Sequence, residues 1–151
     1  MSSVSILWTL LWVFATAGEQ TTHFVSFDAE GSTVEWVSDT KGRATLLFSV
    51  KDGYHIQVPN VGESAVIPTK FQLSSPHLTL DHTEFDYVPY TIRFPDGTVL
   101  QTMDGNITLS ISFTKKEKIE SQNTLEGILA YQTCDSRKCY FPRELVVKMD
   151  L

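Results

Sequence analysis

The residues best suited to chemistry lie in one short stretch near the C-terminal end, Tyr131-Gln132-Thr133-Cys134-Asp135-Ser136-Arg137-Lys138-Cys139-Tyr140-Phe141-Pro142. It holds the two cysteines of the chain, with four residues between them and aromatic residues on both sides. A pair this close can close a small disulfide loop, or it can exchange that disulfide with another protein. As a staple, a six-residue loop stabilises by about 2 kcal/mol in the chain-entropy model, because so short a loop loses little freedom on closure. A cross-link between distant strands would contribute more, so the spacing leans toward redox use. Arg137 and Lys138 lie between the cysteines and Arg143 just beyond them. Positive charge stabilises thiolate, the attacking species, while Asp135 opposes it. On these grounds a structural and an exchangeable disulfide both stand open.

Other chemistries find less support. Two cysteines cannot complete a four-ligand zinc site, and none of His23, His55, His77 and His82 has a metal-ligand spacing. Cys-x-x-x-x-Cys also differs from the Cys-x-x-Cys of thioredoxin-like proteins, and no βαβ pattern accompanies it. There is no Gly-x-Ser-x-Gly elbow, phosphate-cradling loop or His-Glu-x-x-His motif, so neither a metal nor an organic cofactor is expected. Asp81, Glu84 and Asp86 read as a solvated acidic loop, and His55 as a half-buried strand residue. Asn106-Ile107-Thr108 fits a glycosylation sequon, which matters only in a host that glycosylates. Phe85, Tyr87, Tyr90 and Phe94 read as core or rim, although a loop aromatic among them could shield a reactive disulfide.

The elements that must position the cysteines are short β-rich runs. Residues 22–28 and 33–38 are separated by Ala29-Glu30-Gly31-Ser32, which reads as a compact turn. Residues 43–50 and 54–58 flank Lys51-Asp52-Gly53, where Asp-Gly is a strong hairpin signal because both residues tolerate positive φ. The signal recurs at Pro95-Asp96-Gly97 and at Asp104-Gly105. Further strands are expected over 67–74, 90–94, 98–103, 106–113, 125–131 and 144–149, with a charged connection or a helical turn over 114–123. Residues 106–113 (NITLSISF) alternate in the manner of a half-buried strand. Nine or ten strands without an amphipathic helix predict a single all-β sandwich.

The first 17 residues stand apart. Residues 6–17 (ILWTLLWVFATA) form an apolar run ending in Ala15-Thr16-Ala17, the pattern of a secretory signal peptide and too short to span a bilayer. No Lys or Arg precedes the run. One domain over 18–151 is expected to follow it. The full chain of 151 residues carries a net charge of −6, and 42% of it is apolar, enough for a core. An acidic chain with scattered lysines has no electrostatic footprint for nucleic acid or anionic lipid. Export to a secreted or periplasmic location would put the cysteines where a disulfide persists.

The motif Tyr131-Gln132-x-Cys134-x-x-x-x-Cys139-Tyr140-x-Pro142 resembles the active-site segment of the DsbD amino-terminal domain, the disulfide bond corrector family of exported thiol–disulfide interchange modules. Asp52-Gly53-Tyr54-His55-Ile56 is similar to that family's Gly-aromatic-His stretch. Ile67-Pro68-Thr69 and the 106–113 strand fall where it has comparable elements. The resemblance implies an immunoglobulin-like β-sandwich whose dithiol passes electrons to thioredoxin-fold oxidoreductases or isomerases through a mixed disulfide. Carried over, Cys139 engages the partner and Cys134 resolves the intermediate, while Tyr131, Gln132, Tyr140 and Pro142 shape the site and Phe94 caps it. Full-length members continue into membrane and thioredoxin-like domains, so any electron donor here would be a separate protein, such as a membrane electron donor. The module is expected to be monomeric. The alternative, from a different class, is a non-catalytic β-sandwich that binds another protein and keeps Cys134–Cys139 as an inert staple.

Overall fold

The computed structural model describes residues 23–62, 64–116 and 124–151, so the expected signal peptide and most of the 114–123 connection lie outside the described residues. Nine strands occur among them: β1 (Val25–Trp36), β2 (Lys41–Val50), β3 (His55–Gln57), β4 (Lys70–Leu73), β5 (Leu78–Arg93), β6 (Val99–Lys115), β7 (Thr124–Tyr131), β8 (Thr133–Cys134) and β9 (Arg143–Asp150). They form two antiparallel sheets, the immunoglobulin-like β-sandwich that the pattern predicts.

The larger sheet is built on β6. One side of β6 pairs with β5 from Leu78↔Lys115 to Arg93↔Val99. Its other side takes β2 from Lys41↔Thr114 to Ser49↔Asn106, then β3 at Ile56↔Met103 and Gln57↔Thr102. β1 lies outside β2, and β8 lies outside β3. The smaller sheet is β4-β7-β9. Alternation on the central strands fills the space between the sheets. Ala44, Leu46 and Phe48 of β2, Ile107, Leu109, Ile111 and Phe113 of β6, and Leu125 and Leu129 of β7 are all buried.

Four sequence expectations are corrected by this pairing. Ala29–Ser32 does not separate two strands, because β1 runs through it with a register shift between Asp28 and Thr33. The Asp28 carboxylate accepts from the Gly31 N–H at 2.9 Å, and the Ser32 hydroxyl accepts from the Leu47 N–H at 2.9 Å. A serine hydroxyl thus replaces the lost ladder bond, and the turn residues become a bulge. Lys51-Asp52-Gly53 does turn, with Gly53 at φ 82° and the Tyr54 N–H on the Lys51 carbonyl at 3.0 Å. It makes no hairpin, however, since β2 and β3 follow one another in the same direction along β6. Asp104-Gly105 is likewise a bulge inside β6, with Gly105 at φ 63°. Finally, the acidic stretch holding Asp81, Glu84 and Asp86 is strand: β5 spans sixteen residues, turning Leu80, Thr83, Phe85 and Tyr87 inward and its acids to solvent. The Pro95-Asp96-Gly97 hairpin forms as expected, closing β5 onto β6 with the Phe94 N–H on the Thr98 carbonyl at 2.9 Å.

Candidate functional site at the disulfide

β7 ends at Tyr131 in the smaller sheet, and β8 begins at Thr133 in the larger one, so the chain changes sheets at Gln132. That change sets the geometry of everything after it. Ile56 and His55 of β3 pair with Thr133 and Cys134, which draws Cys134 into the sandwich with no exposed surface. The chain then reverses. Cys139 returns opposite Cys134 as an antiparallel bridge, the Tyr140 N–H reaches the Thr133 carbonyl at 2.7 Å, and the two cysteines form a disulfide.

Asp135 builds the tip of this loop. One carboxylate oxygen accepts from the N–H groups of Arg137 and Lys138, both at 2.8 Å, while the other accepts from the Tyr140 hydroxyl at 2.7 Å. The Tyr140 hydroxyl, first among the causes, holds the Asp135 carboxyl below its usual value. Reciprocally, the carboxylate pushes the Tyr140 phenol up to about 12. The carboxylate is thus held ionised in the loop's own frame, and its charge still opposes a thiolate there. The Lys138 ammonium sits 4.8 Å above the Tyr140 ring.

Gln132 joins the loop to the rest of the sandwich. Its carbonyl oxygen accepts from the Ile67 N–H at 2.8 Å, and its amide donates to the Tyr140 carbonyl at 3.1 Å. Phe24, Tyr54 and Tyr140 make an aromatic cluster with centroids 4.7, 5.0 and 6.0 Å apart. Lys51 and Arg143 lie over Tyr54 and Phe24 at 5.7 and 4.4 Å. Cations stacked on rings combine charge with apolar area at this end of the sandwich.

The two sulfurs face different surroundings. Cys134 is enclosed, and the Gln57 amide donates to its Sγ at 3.0 Å. Cys139 is partly exposed and lines a shallow groove of about 500 Å³ with Gln132, Lys138, Tyr140, Phe141 and Pro142. Phe141 is 90% exposed, an unusual setting for a phenylalanine.

Of the residues singled out in the sequence, Cys139, Gln132, Tyr140 and Pro142 come together around this groove, with Cys134 directly beneath. Tyr131 is buried at the end of β7, where burial pushes its phenol up against the opposing charge of Arg143. Phe94 stands at the mouth of the β5–β6 turn. It is six residues along β5 from Val88, the partner of Asp104, or roughly 20 Å at ordinary strand rise. Tyr90 of β5 stacks on His55, the strand partner of Cys134, at 4.2 Å with planes 5° apart. His55 Nδ1 also lies 3.5 Å from the Asp104 carboxylate, an electrostatic contact without hydrogen-bond alignment.

Gln57, Phe24 and Ile67 were not legible as site residues. Gln57 lies in a short run (YHIQV) that reads only as a strand, and its contact with Cys134 depends on the long-range pairing of β8 with β3. Among the described residues, no group of three or more His, Cys, Asp or Glu side chains is arranged to hold a metal.

Comparison with known proteins adds the fold. No family model matches the chain, and no curated protein matches it. Among solved structures it is similar to the N-terminal periplasmic domain of ScsB from Proteus mirabilis, with a TM-score of 0.56 and 15% identity, over 79% of this chain and 44% of that one. The chain thus spans under half the length of that structure. The Neisseria meningitidis DsbD N-terminal domain in its reduced form matches with a TM-score of 0.43 and 15% identity, over 79% and 83% of the two chains. The GAE domain of yeast GGA1 matches with a TM-score of 0.42 and 15% identity, over 88% and 96%. At these identities the likeness is one of fold, an immunoglobulin-like β-sandwich.

Proposed function

We propose that this chain is an extracytoplasmic thiol–disulfide interchange module, working through Cys134 and Cys139 with a thioredoxin-fold dithiol protein as partner. The observation that carries the reading is the unequal setting of the two sulfurs. Cys139 opens onto a groove with an exposed Phe141 beside it, whereas Cys134 is shut inside the sandwich. A buried resolving sulfur and an accessible engaging sulfur are what a transient mixed disulfide requires. The apolar run at 6–17 and the periplasmic origin of the ScsB domain support export.

The chemistry balances without a cofactor. In the reducing direction, the Cys139 thiolate attacks one sulfur of the partner's disulfide, and the other partner sulfur leaves as thiolate. The Cys134 thiolate then attacks Cys139 Sγ, displacing the partner's second sulfur. The module ends oxidised and the partner gains two electrons as a dithiol; the opposite direction retraces these steps.

Trapping tests this directly. Cys134→Ser should let Cys139 accumulate mixed disulfides with a thioredoxin-fold partner, and Cys139→Ser should not. A staple has a potential below about −300 mV and gives no adduct. That outcome would return the chain to the class of non-catalytic binding domains.

A further inference from the structure

We infer that Gln57 is the hydrogen-bond donor that makes Cys134 a competent leaving group and resolving thiolate, an assignment that rests on the interchange reading above. Gln57 has no exposed surface, and its Nε2 lies 3.0 Å from Cys134 Sγ. A disulfide sulfur carries no proton and can only accept, so the amide face turned toward it is the NH₂. Gln57 is also held in place along its backbone. Its N–H donates to the Gln132 carbonyl at 3.2 Å, and its carbonyl accepts from the Thr69 hydroxyl at 2.6 Å.

The arrangement is poorly explained as packing. Gln57 Oε1 has no hydrogen-bond partner among the described residues, and neither does the hydroxyl of Thr133, the neighbour of Cys134 in β8. A buried carboxamide with one orphaned end and one weak sulfur acceptor is destabilising compared with an apolar side chain of the same size. The arrangement becomes favourable when the acceptor carries charge. A thiolate accepts strongly from N–H, whereas a thiol or a disulfide sulfur accepts weakly. The donor is therefore matched to the state in which the Cys134–Cys139 bond has been broken.

When a partner thiolate attacks Cys139 Sγ, that bond breaks and its electron pair passes to Cys134 Sγ. Gln57 meets the charge as it develops. The partner's second thiolate then attacks the partner sulfur of the mixed disulfide, releasing the Cys139 thiolate. The partner departs as a disulfide, having given up two electrons, and its two protons can pass to the module's thiolates. In reverse, the same donor keeps Cys134 ionised for attack. A lower leaving-group pKa speeds exchange, and the thiolate fraction gained outweighs the loss of intrinsic nucleophilicity.

The test uses Gln57→Met, which keeps the volume and removes the donor. In the Cys139→Ser chain, Cys134 is the single thiol, and its thiolate absorbance can be titrated without any partner. Gln57→Met should raise that pKa by about one unit, a tenfold loss of thiolate stability. The potential of the intact pair should fall by an amount that widens with pH and reaches about 30 mV, the equivalent of tenfold for two electrons, once Cys134 is ionised in both chains. A packing role gives no such pH dependence. An unchanged pKa, or a potential shift independent of pH, overturns the assignment. Should Gln57→Met fail to fold, the Cys139→Ser chain alone still decides. A buried thiol without an effective donor titrates above the ordinary value of about 8.5, and one served by Gln57 at or below it. Because these titrations need no partner, failure to trap an adduct counts against the interchange reading and leaves the donor assignment standing.

Discussion

The Asp135 carboxylate accepts the Tyr140 hydroxyl at 2.7 Å, spanning the loop that the disulfide closes. The same carboxylate gathers the N–H groups of Arg137 and Lys138, so one side chain fixes both the tip of the loop and its return limb. The loop's shape thus has a support independent of the sulfur–sulfur bond. That independence allows a redox pair to open without its surroundings collapsing, and it makes the behaviour of the loop measurable.

The Tyr140 phenol should titrate near 12, and Asp135→Ala should return it toward about 10. Comparing near-ultraviolet phenolate titrations with Tyr140→Phe isolates this one ring. The linked effect on stability has a definite sign. The raised Tyr140 value gives stabilisation fully present below about 10 and lost as pH climbs through about 12. The lowered Asp135 value gives stabilisation present above about 4 and lost as pH falls through its folded value.

Reduction of the disulfide, or replacement of both cysteines by serine, should cost about 2 kcal/mol and leave the far-ultraviolet spectrum unchanged. The β7–β9 and β5–β6 ladders do not depend on the bond. Urea unfolding with and without reductant measures this. Complete unfolding on reduction would mark the pair as a staple.

Gln132→Ala should destabilise by about 1–2 kcal/mol, because it removes two hydrogen bonds between otherwise separate segments. Amide exchange should show where. The Ile67 N–H and the loop amides should exchange faster, while the amides of β2 and β6 stay protected. Uniform acceleration would mean that Gln132 supports the whole sandwich rather than the site.

Phe141→Ser should change stability by less than about 0.5 kcal/mol, since the ring is almost fully exposed. It should slow adduct formation by the Cys134→Ser chain about tenfold if the ring is the partner's anchor. Stopped-flow exchange with a thioredoxin-fold dithiol protein separates the two effects.

Gly42→Ala provides a test away from the site. A Cβ at Gly42 would run into the Phe113 ring, which is fully buried and also meets Trp36 edge-on at 5.5 Å. Overpacking should cost about 1–3 kcal/mol in thermal or urea unfolding, with the exchange chemistry unaffected.

The sequence by itself determined the architecture class and the neighbourhood of the site. Alternation in residues 106–113 foretold much of β6, because a half-buried strand must present apolar residues with period two, and the run at 125–131 foretold β7. The Gly53 and Gly105 signals were right about backbone conformation, since positive φ is a local property. They could not tell a hairpin from a bulge. That was decided by β6, whose seventeen residues accept β2 and β3 end to end. The acids of β5 hid a strand for a related reason: a strand with one wet face is polar in composition, and only its pairing with β6 shows it. At the site, two nearby cysteines and a ring of aromatics were legible, but the inequality of the sulfurs was not. Cys134 is buried because the chain changes sheets at Gln132 and β8 docks on β3. The same docking brings Gln57 to hydrogen-bond distance of the sulfur, a contact 77 residues apart in sequence. Residue types fixed which groups could react, and long-range strand pairing, invisible to local pattern, decided which sulfur is enclosed and which donor faces it.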